Sequence, residues 1–272
     1  MNFVTTADET RLYVKDWGNG RPVILIHGWP LSADSWDDQA LALADAGHRV
    51  IAYDRRGFGR SSQPWTGYDY DTLADDLATL ITQTGVQDAV LVGFSMGGGE
   101  VARYMSRHGG KSVAKAALVS SVLPYRLKTR DNPAGTEQAA FDKSAEAMRQ
   151  DRAKFFTGFF RTFFGVDTAA TPVSQELLEW AWGIAMQASL KATLACAKSF
   201  SSTDFRDDLQ AFKVPTLIIH GTEDKTVPID ASSRAAARGI EGSTLIEYEG
   251  APHGLFATHK ARLTADLLDF VG

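Results

Sequence analysis

Residues 90–104 read Val90-Leu91-Val92-Gly93-Phe94-Ser95-Met96-Gly97-Gly98-Gly99-Glu100-Val101-Ala102-Arg103-Tyr104. An apolar run of strand length passes into Gly93-Phe94-Ser95-Met96-Gly97, and the residues after Gly97 suit a helix. A strand, a Gly-x-Ser-x-Gly turn and a helix in that order form the signature of a nucleophile elbow: glycines on either side of the serine allow a turn sharp enough for its hydroxyl to stand clear at the sheet edge. The start of the helix also sets N–H dipoles beside the charge that develops when that hydroxyl attacks. Gly-x-Ser-x-Gly alone fits any glycine-rich turn before a helix. Its flanks make Ser95 the candidate nucleophile.

Working outward, short apolar runs alternate with helical stretches. Pro22 to Ile26, Arg49 to Tyr53 and Ala89 to Val92 read as strands. Asp71 to Gln83 carries Leu73, Leu77, Leu80 and Ile81 at helical spacing with acidic residues near its start, which suits the helix dipole, so a βαβ unit is expected here. Ala116 to Ser120 is a further strand. From Pro124 to about Asp204 no strand pattern occurs, only helical stretches rich in Ala, Phe and Trp. Alternation then resumes with strands at Thr216 to Ile219 and Thr244 to Tyr248, and helices at Ala231 to Arg238 and Thr258 to Val271. The expected class is α/β: a mostly parallel central sheet flanked by helices, its core at residues 1–121 and 205–272, with a helical cap inserted at 122–204.

A serine hydroxyl needs a base to take its proton and a carboxylate to orient that base. Of six histidines, His27 and His220 end strands in His-Gly pairs and suit structural roles. His48 and His108 sit at helix ends or turns, and His259 falls in the last predicted helix. His253, in Gly250-Ala251-Pro252-His253-Gly254 directly after the final strand, is the expected base. The carboxylate should follow the preceding strand, where Glu223 and Asp224 compete. Asp224 is favoured, because its shorter side chain between the His-Gly turn and Val227-Pro228 is better held for one fixed bond. Ser120-Ser121-Val122-Leu123-Pro124, the other loop in a suitable place, contains no acid. The order Ser95, Asp224, His253 is the one this architecture requires. For the oxyanion, the N–H of Met96 and that of Trp29, in Ile26-His27-Gly28-Trp29-Pro30, are the expected donors; Pro30 biases Trp29 toward extended geometry.

His27-Gly28-Trp29-Pro30, Tyr53-Asp54-Arg55-Arg56-Gly57-Phe58-Gly59-Arg60-Ser61, Gly93 to Gly99 and Ala251-Pro252-His253-Gly254 together resemble the cofactor-free haloperoxidases, also called non-haem chloroperoxidases or perhydrolases, and the related bacterial aryl esterases. The resemblance runs nearly the whole length. It implies the α/β-hydrolase fold and hydrolysis of small esters. With hydrogen peroxide and a carboxylic acid it implies formation of a peracid that oxidises bromide or chloride, with no cofactor and no metal. The family's triad carries over to Ser95, Asp224 and His253, and its oxyanion donors to Trp29 and Met96. A plain carboxylesterase, a lactonase, a carbon–carbon bond hydrolase and a non-catalytic receptor on the same scaffold are the other readings. An aspartate nucleophile, as in epoxide hydrolases and haloalkane dehalogenases, is disfavoured by Ser95.

Composition narrows the partners. Lys and Arg number 28 against 33 Asp and Glu, a formal net charge of −5, with no basic block or aromatic-basic interleaving, so nucleic acid is not expected. No stretch has the ~18 uncharged apolar residues of a membrane span. Met1 to Thr10, with Asp8 and Glu9, does not read as a signal peptide, and a cytoplasmic location is expected. The oligomeric state is left open, a homo-oligomer included. The lone Cys196 suits a core thiol. Asp54 to Ser61 reads as a tight structural turn, and Phe155, Phe156, Phe159, Phe160, Phe163 and Phe164 form one aromatic helix face, one or two of whose rings are expected to line a pocket.

Overall fold

The strands converge in one eight-stranded sheet, described here from a computed structural model covering residues 2–166 and 173–272. They are β1 (Phe3–Thr5), β2 (Arg11–Trp17), β3 (Pro22–Ile26), β4 (Arg49–Tyr53), β5 (Ala89–Phe94), β6 (Val113–Val119), β7 (Thr216–Gly221) and β8 (Thr244–Tyr248), in the spatial order β1-β2-β4-β3-β5-β6-β7-β8. From β4 to β8 every pairing is parallel. β5 is buried along its whole length because helices cover both sheet faces, hence its unbroken apolar run.

Two details add to the expected, mostly parallel architecture, and both have simple causes. β1 and β2 join antiparallel at the sheet edge. β2 alternates buried Leu12 and Val14 with Arg11, Tyr13 and Lys15, a period-two pattern with one wet face rather than an apolar run. In the expected βαβ unit, β4 and β5 share the sheet but do not pair, since β3 lies between them. The connecting helix α2 (Tyr70–Thr84) follows α1 (Asp37–Asp45) and is bounded by its own chemistry. The Asp69 carboxylate accepts from Thr72 N–H at 2.9 Å, and Gly85 ends the helix at φ 66°.

α3 (Met96–Arg107) leaves the elbow beneath the sheet edge, and between β6 and β7 stand α4 (Gln138–Phe163), α5 (Gln175–Gln187) and α6 (Leu190–Ser202). Among the described residues this insertion holds isolated bridges but no named strand; residues 167–172 of the expected cap lie outside them. α4 breaks at Asp151 (φ −156°, ψ 87°), whose carboxylate accepts from Lys154 N–H at 2.9 Å and so starts the phenylalanine-bearing segment as a fresh helix. The helix expected at Ala231 to Arg238 is α7 (Ser233–Gly239), preceded by a 3-10 turn at Ile229–Ala231. The last helix is two, α8 (Leu255–Thr258) and α9 (Lys260–Val271), broken at His259, which therefore sits at a junction and not inside a helix. No helix among the described residues is long and apolar enough to cross a membrane.

Candidate active site

Ser95 is the hinge between β5 and α3, and it carries the strain of that turn itself, at φ 52° and ψ −115°. The flanking glycines, expected from sequence to make the turn, instead contribute space. A Cβ at Gly93 would lie 2.6 Å from Gly97 O, and one at Gly97 would lie 2.6 Å from Ile26 O, so α3 can cross the strands this closely only without side chains there. A left-handed serine between two such contacts is a backbone outlier held by its surroundings, as found at functional sites.

The structure brings Ser95, His253 and Asp224 into one hydrogen-bonded line. His253 Nε2 lies 2.9 Å from Ser95 Oγ, and its Nδ1 lies 2.5 Å from Asp224 Oδ2. Asp224 Oδ1 accepts from the N–H groups of Thr226 (2.8 Å) and Val227 (2.7 Å), fixing the carboxylate's plane. Burial opposes charge on Asp224, but the His253 charge and the imidazole hydrogen bonds of His220 and His253 prevail and hold its carboxyl well below the usual range. Burial pulls His253 below the ordinary histidine value, and Asp224 only partly restores it. Glu223, the rejected alternative, pairs with Lys225 at 3.2 Å.

His220, read as structural, turns out to be a neighbour of the line. It is fully buried, with Nδ1 2.6 Å from Ser233 Oγ and Nε2 2.8 Å from Val227 O and 3.0 Å from Asp224 Oδ2. It thus braces the loop that carries the acid. The available signal was its place, four residues before Asp224 at the end of β7.

The two expected oxyanion donors flank the serine. Met96 opens α3, and Trp29 is a central residue of a turn closed by Leu31 N–H to Gly28 O at 3.0 Å. Neither N–H finds an acceptor among the described residues. The loop approaches so closely that a Cβ on Gly28 would stand 3.0 Å from Ser95 Cβ and 2.6 Å from the Phe94 ring.

Its position is set from below. Arg55 N–H donates to His27 Nε2 at 3.0 Å, so the His27 proton is on Nδ1 and is donated to Gly28 O at 2.8 Å. Arg55 Nη2 donates to His27 O at 2.7 Å, and its Nε to the buried Glu100, which also accepts from Tyr53 O–H at 2.5 Å. Asp54 accepts from Ala33 N–H and Arg60 N–H, both at 2.8 Å. The Asp54 to Ser61 segment is therefore a buried brace for this loop.

Above Ser95 lies a cavity of about 1290 Å³ whose lining includes Ser95, His253 and Trp29. The Trp29 indole both packs and lines: its Nε1–H donates to Thr193 O at 3.0 Å, and its ring contacts Phe156, Phe159 and Phe200 at 5.3–5.6 Å. Of the six phenylalanines between Phe155 and Phe164, Phe156, Phe160, Phe163 and Phe164 are core, whereas Phe155 and Phe159 line the cavity. The Phe163 ring meets His253 edge-on at 4.8 Å. Cys196 is buried, and burial pushes its thiol up to about 12, which leaves it inert.

Comparison with known proteins identifies the family to which this fold belongs. The family model described as the alpha/beta hydrolase fold matches residues 21–260. The chain is 42% identical, over 100% of its own length and 99% of theirs, to a non-heme chloroperoxidase of Kitasatospora aureofaciens and to a bifunctional esterase/perhydrolase of Acinetobacter calcoaceticus. It superposes on the crystal structure of a bromoperoxidase from Bacillus anthracis with a TM-score of 0.96 and 45% identity, covering 99% of this chain and 98% of that one. With its sheet order, its serine elbow and these full-length likenesses, the chain belongs to the α/β-hydrolase family, among the non-haem haloperoxidases.

Proposed function

We propose that this protein is a serine hydrolase of small carboxylic esters whose acyl-enzyme can be released to hydrogen peroxide as well as to water. The observation that carries the reading is the unbroken line Ser95 Oγ, His253, Asp224, flanked by two N–H groups with no protein acceptor among the described residues. Ser95 Oγ attacks the carbonyl carbon while His253 Nε2 takes its proton. The oxyanion is met by the N–H groups of Trp29 and Met96, and Asp224 holds the imidazolium. His253 then protonates the departing alkoxide. Water attacking the acyl-enzyme yields the acid; peroxide yields the peracid, and either path returns the proton to Ser95. A free carboxylic acid enters the same cycle with water as its leaving group. The released peracid oxidises bromide to hypobromous acid and is itself reduced to the carboxylate. In this reading residues 1–121 and 205–272 are the catalytic core and 122–204 the cap over it.

The test is a panel of acetyl, butyryl and aryl esters and lactones, assayed with and without peroxide. Ester turnover with part of the acyl product diverted to peracid is expected; turnover with no peracid at any peroxide concentration would reduce the protein to an esterase.

The pH profile follows from the environment of His253. Only the neutral imidazole accepts the serine proton, and burial holds the ring below the ordinary histidine value of about 6.5. Ester kcat/KM should therefore stay level from pH 8 to neutrality and fall only with a midpoint below that of a free histidine. A midpoint above about 6.5 contradicts this environment.

A further inference from the structure

We propose that Arg126 binds a free carboxylate of the substrate, so that the preferred substrates are esters carrying an anionic group away from the scissile carbonyl. This rests on the serine-hydrolase reading and names the substrate class of that same site.

Arg126 lies on the stretch after β6 and lines the cavity that holds Ser95 and His253. It is half-buried, yet among the described residues no carboxylate stands within ion-pair distance of it. Nη2 donates to Thr226 O at 2.9 Å and the guanidinium faces the Phe141 ring at 5.7 Å; its other N–H groups have no acceptor among the described residues. The carboxylate whose field reaches it is Asp224, which is already committed to two imidazoles and two backbone N–H groups. Burial lowers the guanidinium to about 10, which leaves it a cation at neutral pH.

Other half-buried arginines meet carboxylates, Arg49 with Asp16 at 2.7 Å and Arg103 with Asp208 at 3.2 Å. Arg152, which also pairs with no carboxylate among the described residues, donates to the carbonyls of Ala188 and Met186 and does not line the Ser95 cavity in the way Arg126 does. The N–H groups left over on Arg126 can take a ligand, and the planar fork of a guanidinium suits bidentate binding of a carboxylate. The fork and the nucleophile in one cavity fit a single ligand that presents its ester to Ser95 and its anion to Arg126.

The rest of the wall has the same sign. Lys143, Arg149, Lys154, Lys198 and Lys225 join Arg126 there, against only Asp142 and Asp151, in a chain whose net charge is −5. A cavity whose lining carries an excess of one sign concentrates ligands of the other and speeds their entry.

The experiment compares matched ester pairs by kcat/KM: monomethyl glutarate against methyl butyrate places the anion on the acyl side, and 4-acetoxybenzoate against phenyl acetate places it on the leaving group. In the wild type at least one anionic member should exceed its neutral partner about tenfold or more, in the range of charge-assisted hydrogen bonds. That ratio should fall at least tenfold in Arg126→Met and less in Arg126→Lys, and 0.5 M salt should lower it.

Binding without turnover is read by calorimetry on Ser95→Ala. Monomethyl glutarate or 4-acetoxybenzoate should bind about tenfold more tightly than its neutral partner, and adding Arg126→Met should erase the difference. Equal binding within both pairs, or a preference that survives Arg126→Met, overturns the role of Arg126 whatever the hydrolysis rates. If the wild type turns over no ester, neutral or anionic, the hydrolase reading itself fails.

Discussion

Ser95→Ala should lower ester kcat by about 10⁴ to 10⁶ while leaving a folded protein. In the proposed mechanism the hydroxyl forms the acyl-enzyme, and among the described residues its one hydrogen bond is to His253 Nε2 at 2.9 Å. Removing it costs about one hydrogen bond, on the order of 1 kcal/mol, because an alanine there would keep the same backbone between Gly93 and Gly97. The left-handed conformation at φ 52° remains and is borne by the same crossing of α3 over β3 and β5. Circular dichroism and thermal melting establish the fold, and steady-state assays on an activated ester give the rate. A folded Ser95→Ala protein with turnover within tenfold of wild type would place the nucleophile elsewhere.

What could be read from sequence divides by how local its cause is. The elbow was legible because a strand, Gly93, Ser95, Gly97 and a helix are adjacent in the chain. Asp224 and His253 were legible because parallel topology sends the ends of β7 and β8 to the same sheet edge as the end of β5, so position after a strand selects them from other acids and histidines.

Contacts made across distance left no such mark. His220 resembled any strand-end His-Gly, and its hold on the Asp224 loop exists only once Val227 and Ser233 fold back onto it. No motif marks Arg126; its lack of a carboxylate partner among the described residues is a property of the cavity wall. Gly28 carried no sign that Phe94 and Ser95 would press against it. Likewise the edge strands β1 and β2 escaped because three residues, and an alternating seven, give a weaker signal than the buried central runs.

In the proposed cycle, oxidation of halide passes through an acyl group on Ser95. Peroxide and bromide alone then give no oxidant, because peroxide must attack an acyl-enzyme and the acyl group must come from a carboxylic acid or an ester. The proposed cycle also ties halogenation to the same His253 and Asp224 that it assigns to hydrolysis. The most direct measurement is bromination of an activated dicarbonyl with peroxide, in acetate and in a carboxylate-free buffer at one pH, for wild type and Ser95→Ala. Bromination by the wild type in acetate is expected, with background rates in the other three combinations. Equal rates in the two buffers, or a rate that survives loss of Ser95, would contradict the proposed cycle.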